Sequence, residues 1–191
     1  MTLKAATLVV ALAATAGLTA CATPTPYQPA VRGQAVSGGF SDTRIEANRF
    51  QVNFAGNSLT SRETVERYLL YRAAELTVAQ GGTWFSLVER KTDRKARTYV
   101  EPPAYGPYGA YGYWRPSWRY YGPAMGWRAW DPWYGDPFWA DRTDVRTIER
   151  FEASAEIMIG QGAKPQNDPR AFDARDVMAN LGPGIVRPPA G

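Results

Sequence analysis

Few residues in this chain are of the types that most often perform chemistry in proteins. Its 191 residues include no histidine and a single cysteine, Cys21. These counts exclude a histidine-based proton relay, a histidine-bearing zinc site and a disulfide within the chain. The carboxylate pairs Asp141/Asp144 and Asp173/Asp176 lie beside predicted element ends, where Asp accepts hydrogen bonds from free backbone amides. We therefore expect no catalytic residue, no metal site and no cofactor, and the protein is not expected to be an enzyme.

The single cysteine ends an N-terminal segment that has the features of a secretory signal. Lys4 is followed by an uncharged apolar run from Ala5 to Ala20, which is shorter than the roughly 20 residues that span a bilayer. The run ends in Leu18-Thr19-Ala20-Cys21, which resembles the lipobox of bacterial lipoproteins. The resemblance implies that residues 1–20 are a lipoprotein signal peptide and that Cys21 carries acyl chains. The alternative is an ordinary signal peptide whose cleavage site includes Cys21.

The residue after the cysteine bears on location. In the lipoproteins that the chain resembles, an Asp at this place retains the protein in the inner membrane, whereas this chain has Ala22. The resemblance therefore implies a lipid anchor on the periplasmic face of the outer membrane, and the inner membrane is the alternative. Prolines and glycines from Thr23 onward favour extended, loose backbone, so residues 21–40 are expected to be a tether.

The folded part of the chain is predicted from periodicity. Phe50, Val52 and Phe54 alternate with polar residues in a strand over Ile45–Ala55. Thr60 and Glu63 match a capping box at the start of a helix that ends at Gly81-Gly82.

Three further elements follow in the sequence. Strands are expected over Thr83–Arg90 and Asp144–Ile159, and a short helix capped by Asp173 runs through Asn180. The prediction is an α+β fold, ordered β-α-β-(long insertion)-β-α, with one helix packed on a three-stranded sheet. Residues 41–182 form this single domain, and residues 183–191 are expected to be a loose tail.

The insertion, residues 99–141, is unusually aromatic. Its tryptophans and two of its arginines form a possible interaction surface: Trp114, Trp118, Arg119, Trp127, Arg128, Trp130, Trp133 and Trp139. The density of Pro and Gly argues against a long helix or a central strand, so we expect these aromatic side chains to lie outside the regular core.

Three interpretations of the insertion remain open. It is a poorly ordered linker, a loop that contacts protein or membrane, or a platform on which aromatic rings stack against sugars. A net charge of +4 is weak support for nucleic-acid binding, and none is expected.

Two stretches carry a family resemblance. Ser41–Phe50 and Phe54–Thr77 are similar to a family of small lipoproteins of Caulobacter-like alphaproteobacteria. The similarity covers about 39–97 and, more loosely, 147–182. That family has no assigned activity, so the resemblance implies an envelope lipoprotein and supplies no catalytic residue.

The sequence therefore predicts a lipid-anchored cell-envelope protein with a non-enzymatic structural or interaction role. Its membrane contact is made through acyl chains, and its possible partners are envelope proteins, lipopolysaccharide or peptidoglycan. The alternative is a peptidoglycan- or polysaccharide-binding module that uses the Trp/Tyr-rich insertion.

Overall fold

Alternating apolar residues build one buried face of a sheet. The computed structural model describes residues 23–88, 114, 116–122, 126–130 and 150–189. Within it, Phe50, Val52 and Phe54 lie on the buried face of their strand, as their spacing predicts. The fold is α+β, which confirms the predicted class. The described residues form seven strands and two helices: β1 (Gly39–Glu46), β2 (Arg49–Ala55), α1 (Arg62–Ala79), β3 (Trp84–Leu87), β4 (Ser117–Gly122), β5 (Gly126–Trp130), β6 (Arg150–Gly160), β7 (Ala171–Asp173) and α2 (Ala174–Leu181).

The long strand β6 organises the sheet, and every pairing between named strands is antiparallel. β2 pairs along one edge of β6, with β1 outside it. The other edge of β6 is shared, because β4 pairs with its N-terminal half and β3 with its C-terminal half. β5 then pairs with β4, and β7 with β3. The insertion is therefore built into the sheet through β4 and β5.

The predicted three-stranded sheet is wrong in strand number, since four of the seven strands among the described residues were not predicted. β4 and β5 lie in the insertion, where the density of prolines and glycines argued against a central strand. The β4–β5 hairpin accommodates two of these glycines, because Gly122 and Gly126 form its last residue pair. β1 was missed because it is an edge strand with few apolar residues. On the face that carries Phe40, its next side chains are the charged Asp42 and Arg44.

The core lies between the sheet and α1. The sheet contributes apolar side chains of one parity, among them Phe54, Phe85, Ala153, Ala155 and Ile157. The helix contributes a wide buried surface because α2 also packs against it; its buried apolar residues are Val65, Tyr68, Leu69, Leu70, Tyr71, Ala73, Ala74 and Leu76. In β6 the apolar residues of one parity, from Phe151 to Ile159, lie in the core or against it.

The segment before β1, residues 23–38, is packed onto the domain, and we call it the strap. Thr25 is 1% exposed and Tyr27 is buried against the rings of Phe40, Tyr68 and Tyr71, with centroids 4.8, 5.7 and 5.2 Å away. The prediction of a tether over 21–40 is therefore wrong for its described part. The aromatic ring of Tyr27 and the buried hydroxyl of Thr25 outweigh the tendency of the neighbouring prolines to keep the backbone extended and solvated.

Hydrogen bonds fix the first residues of the strap to the connection between β2 and α1. The amide of Thr25 donates to the hydroxyl of Thr60 at 2.8 Å, and the side-chain amide of Asn57 donates to the carbonyl of Thr23 at 2.7 Å. Because the Thr60 hydroxyl serves the strap, Ser61 caps α1 instead, accepting from the Thr64 amide. The predicted cap is therefore displaced by one residue, whereas the predicted cap Asp173 of α2 is confirmed.

The C-terminal segment also packs, in contact with the strap. The amide of Tyr27 donates to the carbonyl of Val186 at 2.7 Å, and the amide of Val186 donates to the hydroxyl of Tyr68 at 3.1 Å. The Arg187 guanidinium lies 5.4 Å from the ring centroid of Tyr27. The prediction of a loose tail over 183–191 is therefore wrong for these described residues, because buried tyrosines offer them both hydrogen bonds and ring faces.

We call the two ends of the sheet the strap end and the far end. At the strap end, β1 begins at Gly39, β2 ends at Ala55, β6 begins at Arg150 and β4 ends at Gly122. At the far end, β6 stops at Gly160. Asn57 is the second residue after β2 and is hydrogen-bonded to Thr23, so the strap begins at this end of the sheet.

Candidate interaction surface

The predicted interaction residues divide between the core and the surface. Cys21, Trp133 and Trp139 lie outside the described residues. Trp114 and Trp118 are only 1% and 2% exposed, so their assignment to a surface is wrong. For Trp130 the structure gives the strand backbone of β5. The predicted side chains that the structure places at the surface are Arg119, Trp127 and Arg128.

The two buried indoles are part of the core. Trp114 packs edge-on against Phe85 and Phe172, at centroid distances of 6.2 and 6.1 Å. Trp118 packs edge-on against Phe151 at 6.3 Å and lies opposite Ala153 in the β4–β6 register. The small side chain of Ala153 leaves space for a large ring on that face. Part of the insertion therefore completes the core instead of lying outside it.

Two of these surface residues, Arg119 and Trp127, belong to a cation–aromatic cluster on the face of the sheet opposite α1. The guanidinium of Arg119 lies 4.9 Å from the ring centroid of Trp127. Tyr121 packs against the same indole with centroids 5.5 Å apart, and the guanidinium of Arg150 lies 5.9 Å from the Tyr121 ring. Trp127 is 39% exposed. We call these four residues the cation–aromatic cluster.

Strand pairing explains why these side chains meet. Trp127 faces Tyr121 across the β4–β5 hairpin, and Tyr121 faces Arg150 across the β4–β6 pair. Directly opposed residues on one face of antiparallel strands have Cβ atoms about 5 Å apart. Sequence reasoning did not include Tyr121 and Arg150 in the interaction surface, although both share the parity of polar positions in their strands. The pairing of β4 with β6 was not predicted.

The cluster is electropositive. Glu152 is its acidic neighbour, and one of its carboxylate oxygens lies 3.9 Å from a guanidinium nitrogen of Arg119. Arg128, on the edge strand β5, is exposed and makes no ion pair with another described residue. Each exposed cation–π contact contributes about 0.5–1 kcal/mol, so the cluster holds its own side chains only modestly and leaves positive charge available to an anion.

A second polar cluster lies between β1 and α1 and is structural. Arg72 donates to Asp42 and, at 2.5 Å, to Glu75, while the Tyr27 hydroxyl donates to Glu75 at 2.5 Å. Burial raises the pKa of Tyr27, and its hydrogen bond to Glu75 and the charge of that carboxylate raise it further. Burial opposes the charge on Arg72, but the hydrogen bonds and charges of Asp42 and Glu75 dominate, and its pKa is raised. Through the Tyr27 hydroxyl, this cluster fastens the strap to α1.

One buried acid stands apart. Glu66 of α1 is buried, and its Oε1 atom has no hydrogen-bond donor in the described part of the chain. Burial raises its pKa to about 7, with Arg62 lowering it and Glu63 raising it by smaller amounts. No described group of three or more acidic or thiol side chains surrounds it that could hold a metal ion.

The structure describes only one of the two carboxylate pairs that the sequence analysis considered. Asp173 accepts from the amides of Arg175 and Asp176 and so caps α2, which fits the structural interpretation of that pair. Asp141 and Asp144 lie outside the described residues. None of the helices in the described ranges is both long enough and apolar enough to cross a membrane.

The described surface can therefore bind an anion and contact a planar or interfacial apolar group. Comparison with known proteins adds no further identification: no protein-family model, no curated protein and no solved structure matches the chain.

Proposed function

We propose that this chain is a cell-envelope lipoprotein, attached to the membrane through acyl chains on Cys21, with a non-enzymatic structural or interaction role. The observation that carries the proposal is the position of Cys21. It ends a signal-like segment and precedes, by two residues, a strap whose Thr23 is held to the domain by Asn57. A domain that starts so close to its anchor is suited to work at a membrane surface.

Acylation is tested by Cys21→Ser in a bacterial host that processes lipoproteins. The variant should remain uncut and should not incorporate a palmitate analogue, because only the cysteine thiol accepts the first lipid. Ala22→Ser is the matched control, since it changes the neighbouring residue and leaves the thiol in place. Normal maturation of Cys21→Ser would contradict the proposal.

The outer membrane, on its periplasmic face, is the proposed location, and the inner membrane is the alternative. Support comes from Ala22, which replaces the Asp that retains similar lipoproteins in the inner membrane. Ala22→Asp should therefore move the protein to the inner-membrane fraction after separation on a density gradient. An unchanged distribution would argue against this sorting.

A peptidoglycan- or polysaccharide-binding module is the second candidate. The exposed indole of Trp127 beside Arg119 favours it, because aromatic faces stack on sugars and guanidinium groups bond hydroxyls or carboxylates. Titration with soluble peptidoglycan fragments should then change tryptophan fluorescence, and Trp127→Phe should reduce that change. Arg175→Ala, on the exposed face of α2, is a control that should leave it intact.

A further inference from the structure

The strap limits how far the domain can lie from the proposed lipid anchor. Consecutive residues span at most about 3.6 Å each, so Cys21 lies within about 7 Å of Thr23 along the chain. Thr23 accepts a hydrogen bond from Asn57, which follows β2 at the strap end of the sheet. Acyl chains on Cys21 therefore bring the strap end, and not merely the protein, to the membrane.

The strap end also carries the cation–aromatic cluster. The amide of Gly56, the residue before Asn57, donates to the carbonyl of Phe151 at 2.9 Å. Arg150 precedes Phe151 and lies opposite Tyr121, which in turn lies opposite Trp127. Anchor and cluster are thus joined through a few neighbouring backbone positions at one end of the sheet.

The exposed residues at this end suit a lipid–water interface. Leu59 is 49% exposed in the connection that follows Asn57, and Trp127 is exposed on the hairpin. Tryptophan and tyrosine favour the head-group region of a bilayer, where the ring is half apolar and its polar atom can still reach water.

The charge at this end is complementary to anionic phospholipid. Arg119 and Arg150 stand against Glu152 in the cluster. Arg128, which lies opposite Tyr120 in the hairpin, adds an exposed cation on the other face of the same hairpin. A basic side chain near an anionic bilayer strengthens binding by about fivefold. The arginines and the acyl chains would therefore act on the same end of the domain.

We propose that the strap end of the sheet rests on the bilayer surface, with Trp127, Tyr121 and Leu59 at the level of the head groups and Arg128 and Arg150 against anionic phosphates. This inference rests on the proposed acylation of Cys21. Because the strap is packed on the domain and its first residues are hydrogen-bonded to the connection after β2, the anchored domain is oriented with the far end pointing away. β6 rises about 3.3 Å per residue, so Gly160 lies about 33 Å from Arg150 along the strand.

A bilayer is favoured over a glycan as the occupant of this surface. The indole of Trp127 has the Arg119 guanidinium over its ring and the Tyr121 ring packed beside it, so less of its flat surface is available for stacking on a sugar. The same indole can still enter a head-group layer by its exposed edge. Leu59 has no role in recognising a sugar ring, whereas it adds apolar contact with lipid.

The test uses the mature acylated protein in vesicles of phosphatidylethanolamine and phosphatidylglycerol. Leu59→Cys and the matched control Ala163→Cys, an exposed residue beyond the far end, each add one free thiol for a fluorescent label. Lipids that carry a quencher in the head group should quench the label at 59 severalfold more than the label at 163. Equal quenching in vesicle-bound protein would overturn the inference.

Attachment is measured separately by flotation of the protein with the vesicles at high salt. Protein that does not float contradicts the proposed function, whereas floating protein with equally quenched labels contradicts the orientation alone. A label at 59 that is shielded from solvent but is not quenched by the lipids would also overturn the inference. Crosslinked pairs would then identify a second copy as the occupant, and protection only by peptidoglycan fragments would identify a glycan.

The charge contribution is tested in the same vesicles. Arg128→Glu should reduce quenching of the label at 59 severalfold when phosphatidylglycerol is present, and flotation should persist because the acyl chains remain. Arg175→Glu makes the same charge change on α2, whose first turn lies at the far end next to Asp173, and should leave quenching unchanged. An equal effect of the two variants would overturn the role given to the arginine at the strap end.

Discussion

The side-chain amide of Asn57 donates to the carbonyl oxygen of Thr23 at 2.7 Å, across 34 residues of sequence. The backbone amide of Asn57 also donates to the hydroxyl of Thr25 at 2.8 Å. The connection from β2 to α1 thus holds the strap by both its backbone and its side chain. A segment rich in proline, which alone favours an extended chain, becomes part of the domain through these contacts.

Removing the Thr60 hydroxyl should release the strap. Thr60→Val keeps the side-chain shape but leaves the buried amide of Thr25 without its acceptor, which costs about 1–3 kcal/mol. The midpoint of urea unfolding should fall, and trypsin should cut faster after Arg32, which lies in the strap. Both are measured on the same purified domain.

Ser61→Ala is the matched control for this change. It removes the cap of α1 at a cost of about 1 kcal/mol, yet makes no contact with the strap through its hydroxyl. We therefore compare the two variants under conditions in which their free energies of unfolding are equal. Cleavage after Arg32 should then be faster in Thr60→Val than in Ser61→Ala. Identical cleavage in both variants would mean that Thr60 acts only through global stability.

The start of β1 requires glycine for reasons of space as well as conformation. Gly39 has φ of +128°, and a Cβ there would lie 2.3 Å from the carbonyl oxygen of Gln28. Gly39→Ala should force the strap away from β1, with a loss of about 2 kcal/mol beyond the cost of the positive φ. Chemical unfolding measures this loss.

Gly33 separates the two causes. It has φ of +82°, but nothing lies within 4 Å of the position its Cβ would take. Gly33→Ala should therefore show the conformational cost alone, about 1 kcal/mol. If the two variants lose the same stability, crowding at Gly39 is not important.

The tryptophans of the insertion should differ sharply in their contribution to stability. Trp118→Ala empties a buried site against Phe151 and should cost about 3–5 kcal/mol. Trp127→Ala removes a partly exposed ring with its contacts to Arg119 and Tyr121, and should lower the free energy of unfolding by only about 1 kcal/mol. Guanidinium titrations of both variants check this, and similar losses would contradict the division of the insertion into core and surface.

Periodicity predicted the elements whose environment is set by local burial. The alternation through Phe54 and through β6 identified the core face, and Asp173 identified the start of α2. These signals work because one face of each element is consistently apolar or because the cap acts within a few residues. The α+β class followed from the order of those elements.

Long-range partners could not be predicted in the same way. Trp118 occurs among prolines and glycines, and only its pairing opposite Ala153 shows that it belongs to the core. Thr60 has the pattern of a helix cap, but the distant Thr25 uses its hydroxyl. Tyr121, Trp127 and Arg150 form one surface only because β4 lies between β5 and β6. The positions of Trp118 and of the cation–aromatic cluster depend on strand register, and the role of Thr60 depends on where a distant segment packs. A single sequence specifies neither.

Stability should depend on pH through Glu66. Its folded pKa is raised from 4.5 to about 7 by burial, so the folded chain holds a proton that the unfolded chain releases. The resulting stability is fully present below about pH 4.5 and is lost as the pH rises to about 7. Glu66→Gln, which stays neutral, should raise the free energy of unfolding by about 1–3 kcal/mol at pH 8 and far less at pH 4.5. Thermal unfolding at both pH values measures the difference. A gain for Glu66→Gln that is equal at both pH values would place the effect in packing, because only a group that ionises between them can make the gain depend on pH.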